Sequence, residues 1–590
     1  MQPATEPRRS AEPVAESPAQ LSARARSLWS LWVALGVLPW LLPTRTLPWT
    51  TFYADALAGA VWLSLGVSLL GGSAARSQHP TGHRVAIDGL PALAVALVAM
   101  VCVQAVTGRL VFASEAILAG GHLAAFAAAA TLSRHCREVF GEGFTDRLWA
   151  TLFVAALLSA GIGLAQWVKV EPLGWLTPPA DVDGRAIANV GQANHLATLI
   201  CWGLIGLWRA RLRSLIGRRT TALAGIFLVF GLALTQSRTP WVGACVLIAV
   251  AVFGRRELGG TRAVWAVLAL VLIYVASWQA MMTASEVLSL TAPRDAADQT
   301  SAGLRPLIWT IAIEAISQRP WLGWGWQQFA VAWIELAPGR LSIPGANGYA
   351  HNLVLDLLVW NGVIIGGIVI LCLLVWAWRA VRASRTAEQW LLLAGVGIFA
   401  VHAMLELPHA YLLMLLPAAG MMGALSGSIG MPACIHVRRR WIGLATALLA
   451  ALLAVIVRDY QGLEADLQAR RLQDAGILAP RPHVPSQPIL LRWMAEADAA
   501  LAPRPPESLR VDEMVLLRAT LARYPNAGGL ARYAQAAVLH GDVAGAGWAL
   551  RTLCGLHRRP VCVSALHEWQ AFAAGNPRAL EVPLPGLPER

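Results

Sequence analysis

The run Pro344-Gly-Ala-Asn-Gly-Tyr-Ala-His351-Asn352-Leu-Val-Leu-Asp356-Leu-Leu-Val-Trp360, continuing into Asn361-Gly-Val-Ile-Ile-Gly-Gly-Ile-Val-Ile-Leu371, decides how this chain is read. A loop of small residues delivers a histidine to the start of an apolar helix long enough to cross a bilayer. An imidazole at the mouth of such a segment, with Asn352 and Asp356 beside it, is unfavourable unless it is paired or faces water, so the stretch marks a functional site. The plainer alternative is that His351 caps the helix or anchors it at the membrane surface.

The rest of the chain is of the same kind. Of its 590 residues 56% are hydrophobic and only 14% charged, a composition outside the range of soluble globules and within that of polytopic membrane proteins. The 26 Trp suit interfacial belts. The formal charge of +13 is mostly arginine, and in a membrane protein topology explains such an excess better than nucleic acid does; no basic run interleaved with aromatics suggests a nucleic-acid partner.

Apolar segments near the ~20 residues a bilayer requires fall at 27–43, 54–72, 86–107, 114–133, 147–168, 194–209, 221–236, 240–253, 264–282, 352–378, 389–407, 410–430 and 441–457, about thirteen spans. The expected fold is therefore all-α: a cytoplasmic tail over residues 1–26, a transmembrane bundle over 27–457 with a large outer loop at about 283–350, and an outer helical domain over 458–590. The first segment lacks a small-residue cleavage site and does not read as a signal peptide. Alternate loops carry the arginines: Arg76 and Arg84; Arg134, Arg137 and Arg147; Arg209 to Arg219; Arg255, Arg256 and Arg262; Arg379, Arg382 and Arg385; Arg438 to Arg440. Basic residues in short loops resist translocation, so these loops face the cytoplasm.

The remaining polar residues collect on the opposite face. One loop, Pro178 to His195, brings Arg185, Asn189, Gln192, Asn194 and His195; a tight link brings Gln236-Ser237-Arg238-Thr239. The long loop holds Arg305 and a re-entrant-looking patch, Trp321-Leu-Gly-Trp324-Gly-Trp326, and a short link holds His402, Glu406, His409 and Tyr411. Any one of these has a plain reading as a helix cap or a snorkelling cation, but their joint placement at one depth points to one site. Two arginines suit a phosphate or pyrophosphate headgroup, which a guanidinium grips bidentately, and a neutral histidine beside them can take a proton from an attacking hydroxyl. The sequence has no P-loop, His-Glu-x-x-His or paired-cysteine zinc pattern.

These motifs resemble a known family. Gly184-Arg185 through Gly191-Gln192-Ala193-Asn194-His195-Leu196-Ala197, the Gln236-to-Thr239 turn, Arg305 to Trp309, and His351-Asn352 through Asn361-Gly362 look like the bacterial O-oligosaccharyltransferases of the protein glycosylation ligase (PglL) type, within the O-antigen ligase and polymerase superfamily. The family string has Pro where this chain has Ala193, and its late Glu-Tyr-Pro is here Glu406-Leu407-Pro408, which leaves Tyr411 as the nearest tyrosine. The resemblance implies a glycosyltransferase of the bacterial inner membrane whose site and tail face the periplasm; no cofactor is expected, and direct displacement would make the transfer inverting. It implies a donor oligosaccharide on undecaprenyl pyrophosphate and an acceptor Ser or Thr of an exported protein such as pilin. His351, Arg238 and Arg305 would be catalytic; Gln192, Asn194, His195, Arg185, Asn352, His402, Glu406 and Tyr411 would bind substrate. Ligation of the glycan to lipid A-core is the alternative within the superfamily. A lipid-linked sugar flippase fits less well, since transporters place polar residues near the midplane of repeated halves.

In the tail, Gln461 to Ala475 reads as a helix and Leu530 to Arg551 as a helical hairpin turning at Gly541-Asp542, similar to a tetratricopeptide unit. Of the cysteines only Cys554 and Cys562 fall in the outer compartment, where they are expected to bridge the Gly555-to-Val561 loop. A topology reporter fused after Tyr460 is predicted to be active only outside the cytoplasm, and one fused within Arg209 to Arg219 only inside; cytoplasmic activity of the first would overturn the orientation.

Overall fold

A computed structural model of the chain describes residues 31–44, 47–71, 84–169, 184–290, 303–336, 347–477 and 485–587. The expected N-terminal tail, Arg76, residues 178–183 of the first polar loop and Pro344 to Ala346 lie outside these residues. The described chain is almost wholly helical. Its first helices are α1 (Leu31–Leu41), α2 (Phe52–Gly71), α3 (Gly89–Val106), α4 (Glu115–Phe140), α5 (Glu142–Trp167), α6 (Ala193–Leu212), α7 (Arg218–Leu234), α8 (Thr239–Phe253) and α9 (Thr261–Val287). After the short pair α10 (Arg305–Gln318) and α11 (Phe329–Leu336) come α12 (Leu353–Ala383), α13 (Ala387–Ala403), α14 (Leu412–Ser428) and α15 (Arg439–Asp474). The tail adds α16 (Arg492–Leu501), α17 (Val511–Arg523), α18 (Ala527–Leu539), α19 (Val543–Leu556) and α20 (Arg559–Ala574).

A helix occupies every segment drawn as a span, and six of them, α3, α4, α5, α9, α12 and α15, are long and apolar enough to cross a membrane; several more are shorter but apolar. The protein is thus multi-pass. Small residues let the helices close: a Cβ on Gly423 of α14 would come 1.9 Å from the Ala130 carbonyl oxygen of α4, and one on Gly203 of α6 would come 2.3 Å from the Ala156 Cβ of α5.

Charged side chains tie the helices together at one end of the bundle. Arg137 grips Glu388 through Nε (2.7 Å) and a second nitrogen (2.6 Å), and Arg209 reaches Asp146 (2.6 Å) and Glu142 (2.7 Å). Arg134 donates to Asp88 (3.2 Å), Glu138 (2.9 Å) and the Met431 carbonyl (2.8 Å). Several arginines that the loop pattern assigns to the cytoplasm therefore meet acidic partners at helix ends. The same end carries an unexpected departure from an all-α fold: strand β1 (Arg84–Ile87) pairs antiparallel with β2 (Ile435–Arg438). The two strands close the loops before α3 and α15 on each other, giving backbone groups outside any helix their hydrogen bonds.

Helix α12 is broken where the aromatic patch enters it. Gly362 has φ +73° inside the helix, and the chain from Pro320 to Gly325 lies against the break. Val363 N–H donates to the Pro320 carbonyl (2.7 Å), while Trp324 and Gly325 N–H groups donate to the carbonyls of Val359 (2.8 Å) and Trp360 (3.1 Å). The Gln104 side chain of α3 joins in, donating to the Trp360 carbonyl (3.1 Å) and accepting from Trp326 N–H (2.8 Å). Non-helical backbone is tolerated here because the freed Val359 and Trp360 carbonyls and the Val363 N–H find partners within the protein.

Span and tail are one piece at α15: the helix runs 36 residues without interruption, so the segment expected as a separate helix from Gln461 is its extension. The hairpin turn is where the sequence puts it, with Gly541 at φ +82° and the Asp542 side chain accepting from Gly545 N–H (2.8 Å). Cys554 and Cys562 are bonded, joining the end of α19 to α20. The tail is seated on the bundle through Glu115, which accepts from Arg523 (3.0 Å), Tyr524 (3.1 Å) and Gln328 (2.8 Å).

Gly362 is the most demanding position in this arrangement, since an added Cβ would sit 2.4 Å from the Trp321 carbonyl oxygen and alanine disfavours the positive φ. Gly362→Ala is predicted to lower stability by about 2 kcal/mol or more. A detergent-solubilised variant melting with the parent would contradict that account.

Candidate functional site

Glu406 lies outside both α13 and α14, in the link between them, and its carboxylate is the meeting point of four segments. Arg305, the first residue of α10, donates to Glu406 Oε1 and, through Nε, to the Leu405 carbonyl (2.9 Å). Asn194 at the start of α6 donates to Oε1 (3.0 Å), and His351 Nδ1–H donates to Oε2 (2.9 Å). Asn194 passes the connection on: its carbonyl oxygen accepts from Arg185 (3.0 Å) and from the Ser237 hydroxyl (2.6 Å). Arg185 also donates to the Thr235 carbonyl (3.0 Å). Arg238 follows Ser237 directly, as the residue capping α8.

The loop before α12 is built to present His351. The residue has φ +53°, a left-handed conformation that is uncommon outside glycine and is held by its neighbours. Asn352 caps α12, accepting from Val354 N–H (3.0 Å) and Leu355 N–H (3.2 Å), and its amide donates to the Met404 carbonyl (3.2 Å). Asp356, fully buried one turn on, accepts from Ala350 N–H (2.7 Å) and faces His409 Nε2 at 3.5 Å. A glutamate–histidine pair and an aspartate–histidine pair therefore flank the same loop.

Burial works to raise the Glu406 carboxyl, but the hydrogen bond and charge of His351 together with Arg305 outweigh it and hold the group down to about 2. It is an anion at any physiological pH. With its carboxylate accepting from His351 Nδ1–H, the other ring nitrogen, Nε2, is left as the proton-accepting position.

His195 and His402 form a second, more buried group. Their rings meet at 5.3 Å, the His195 ring packs edge-on to Tyr411 at 4.6 Å, and Thr198 Oγ1 lies 2.7 Å from His402 Nδ1. Nε2 of each histidine and Gln192 Oε1 are buried without a hydrogen-bond partner among the described residues. Burial pushes the Tyr411 phenol up to about 12, so it stays a neutral donor.

The structure thus brings together His351, Arg305, Glu406, Asn194, Arg185 and Asn352, with Arg238 one residue from Ser237; His195, His402 and Tyr411 lie one layer beneath. Sequence reasoning did not single out the part of Ser237 as a link to Asn194, nor Glu406 as the hub. The signal for Glu406 was its isolation as a carboxylate in an apolar stretch. Glu388 lies in the first turn of α13 and Glu406 just past its end, and the helix's 17 residues span about 25 Å, so the site and the Arg137 cluster lie at opposite ends of the bundle.

Three families match the chain: O-Antigen ligase over residues 223–371, Protein glycosylation ligase over 186–210, and Virulence factor membrane-bound polymerase, C-terminal, over 390–560. Between them they cover the site except Arg185, with Gln192, Asn194 and His195 in the second, Arg238, Arg305, His351 and Asn352 in the first, and His402, Glu406 and Tyr411 in the third. The chain is 28% identical to a general O-oligosaccharyltransferase of Acinetobacter baylyi over 72% of its own length and 74% of that protein's. It is 27% identical to a ComP-specific O-oligosaccharyltransferase of the same organism, over 41% of this chain and 44% of that one. No solved structure matches. Fold and site define a multi-pass, helical membrane protein with a histidine, a carboxylate and arginines gathered at one end of the bundle. These matches support a protein of the PglL type, similar to the protein glycosylation ligases within the O-antigen ligase and polymerase superfamily.

A depressed carboxylate contributes stability that is fully present above its unfolded value near 4.5 and is lost as pH falls toward about 2. The shift corresponds to about 3 kcal/mol. Glu406→Gln is therefore predicted to melt lower than the parent at neutral pH and to show a weaker loss of stability between pH 4.5 and 2. Parallel pH curves for the two proteins would contradict the pairing.

Proposed function

We propose that the protein is an O-oligosaccharyltransferase that moves an oligosaccharide en bloc from undecaprenyl pyrophosphate to a Ser or Thr hydroxyl of an exported protein such as pilin, at the periplasmic face of the bacterial inner membrane. The observation that carries this reading is the His351–Glu406–Arg305 cluster at the end of the bundle opposite the Arg137 and Arg209 ion pairs. The names of the two Acinetobacter relatives support protein as the acceptor.

Glu406 holds the Nδ1–H of His351 and so fixes the tautomer whose Nε2 takes the acceptor's proton. The acceptor oxygen attacks the anomeric carbon, the bond from that carbon to the phosphate oxygen breaks, and undecaprenyl pyrophosphate leaves with the electron pair. Direct displacement inverts the anomeric configuration. Arg238 and Arg305 hold the pyrophosphate and neutralise the charge that develops as it departs. Asn194, through Glu406 and Ser237, keeps the two arginine-bearing segments in register. Asn352 shapes the loop as the cap of α12, while Gln192, His195, His402 and Tyr411 line the floor. The outer helical tail is placed to present the acceptor.

A second reading, ligation of the glycan to lipid A-core, is favoured by the O-Antigen ligase match over residues 223–371. Coexpression with a lipid-linked glycan pathway and candidate pilins, followed by intact-protein mass spectrometry, separates the two: a glycan-sized mass increase on the pilin is expected, whereas modified lipopolysaccharide with unmodified pilin would overturn the protein reading. General-base help is worth ~10²- to 10⁴-fold, so His351→Ala is predicted to abolish detectable transfer while expression and donor binding persist. Arg238→Lys keeps charge and loses the fork, and is predicted to raise the donor KM more than a surface Arg→Lys change does. Near-parental turnover by His351→Ala at saturating donor would move the base elsewhere, with His195 and His402 the next candidates.

A further inference from the structure

A cleft of about 500 Å³ between the outer end of α3 and the turn joining α10 to α11 takes no part in the Glu406 cluster. The Trp360 turn of α12 stands between them: Gln104, which lines the cleft, donates to the Trp360 carbonyl, while the Trp360 ring reaches His409 at 6.1 Å. Two guanidinium groups line the cleft. Arg109 is pinned by a hydrogen bond from one terminal nitrogen to the Gly323 carbonyl (3.0 Å), and its other N–H groups have no acceptor among the described residues. The Arg319 guanidinium carbon lies over the Trp324 ring, 3.8 Å from its centroid, and the Glu335 carboxylate is 3.7 Å away, beyond hydrogen-bond reach.

We propose that this cleft binds the headgroup of an anionic membrane phospholipid, with Arg109 and Arg319 on its phosphodiester. The surroundings decide for a lipid over a soluble phosphate. The cleft opens beside α3, one of the helices apolar enough to cross a membrane, and its wall includes Met100, Val103 and Leu322. Around it Val106 is 88% exposed, Trp321 66% and Leu322 50%, an apolar surface that acyl chains would cover and water would not favour. Cations above an apolar wall, with a tryptophan at the boundary, match the profile of a phospholipid from phosphate to chain. Stacking on Trp324 and the bond to Gly323 hold both guanidiniums in place before a ligand arrives, so little side-chain freedom is lost on binding. Glu335 reduces the two positive charges to a net of one, which suits a singly negative headgroup such as phosphatidylglycerol and leaves the zwitterionic phosphatidylethanolamine without an advantage. The site would fasten the re-entrant Pro320–Gly325 segment, and through it the break in α12, to the outer leaflet.

The test is native mass spectrometry of the purified full-length protein released from detergent, titrated with palmitoyl-oleoyl phosphatidylglycerol or the matching phosphatidylethanolamine. The parent protein is expected to retain phosphatidylglycerol preferentially, and millimolar inorganic phosphate is expected not to displace it. The Arg109→Gln/Arg319→Gln double variant is expected to lose about ten-fold or more in retention, while Arg256→Gln, at an exposed position between α8 and α9, behaves as the parent. Glu335→Gln removes the competing carboxylate and is expected to strengthen retention, which keeps the proposal testable if the double variant fails to fold. Parental retention by the double variant, equal retention of the two lipids, displacement by phosphate, or no gain with Glu335→Gln would each overturn it.

Discussion

A carboxylate buried at the edge of a membrane bundle must be compensated, and the arrangement of the site follows from how Glu406 is. Its two oxygens take hydrogen bonds from Arg305, Asn194 and His351, which enter on α10, α6 and the loop before α12. Those segments are distant in sequence; α10 and the loop before α12 also share an apolar core through Ile308, Ile311 and Ala350, and Glu406 ties α6 to them. The Met404 and Leu405 carbonyls, just before Glu406 in the same link, accept from Asn352 and Arg305, so the start of the link is bound as well. One ionised group thus sets the positions of the histidine and of Arg305, and through Asn194 and Ser237 it reaches the segment carrying Arg238.

The break in α12 supplies the second constraint. A continuous helix from Leu353 would leave no room for the Trp321-to-Trp326 segment; with Gly362 in a positive-φ conformation, the chain opens and the segment fills the gap with backbone hydrogen bonds. The Trp360 ring at this break touches Tyr349 and His409, so the break and the loop presenting His351 share a wall. The tail closes the same side, with Arg523 and Tyr524 on Glu115.

Much of this was legible in the sequence because the bilayer writes strong signals. Apolar length marks the helices, arginine-rich loops mark one end, and rare polar residues, Arg305, His351, Asn194 and Glu406 among them, mark the other. What sequence could not give was mutual arrangement. Glu406 read as one of several substrate-binding groups, whereas the structure makes it the residue that holds His351 and Arg305. The pairing of Arg84–Ile87 with Ile435–Arg438 joins strands of four residues separated by most of the bundle, and no local pattern announces a partner so far away. Helix α15 was divided at the membrane boundary because polarity changes there, yet backbone hydrogen bonding is indifferent to that change and the helix continues.

In the proposed mechanism a histidine oriented by Glu406 faces the anomeric carbon of a pyrophosphate-linked sugar held by Arg238 and Arg305. Cryo-electron microscopy of the full-length protein with a non-transferable undecaprenyl-pyrophosphate glycan analogue tests it most directly. The account predicts both phosphates within hydrogen-bond reach of the two guanidiniums, His351 Nδ1 still on Glu406, and Nε2 directed at the space beside the first sugar, about 3 Å from where an acceptor hydroxyl would sit. Phosphate density away from both arginines, or a His351 ring turned so that Nε2 meets Glu406, would contradict it.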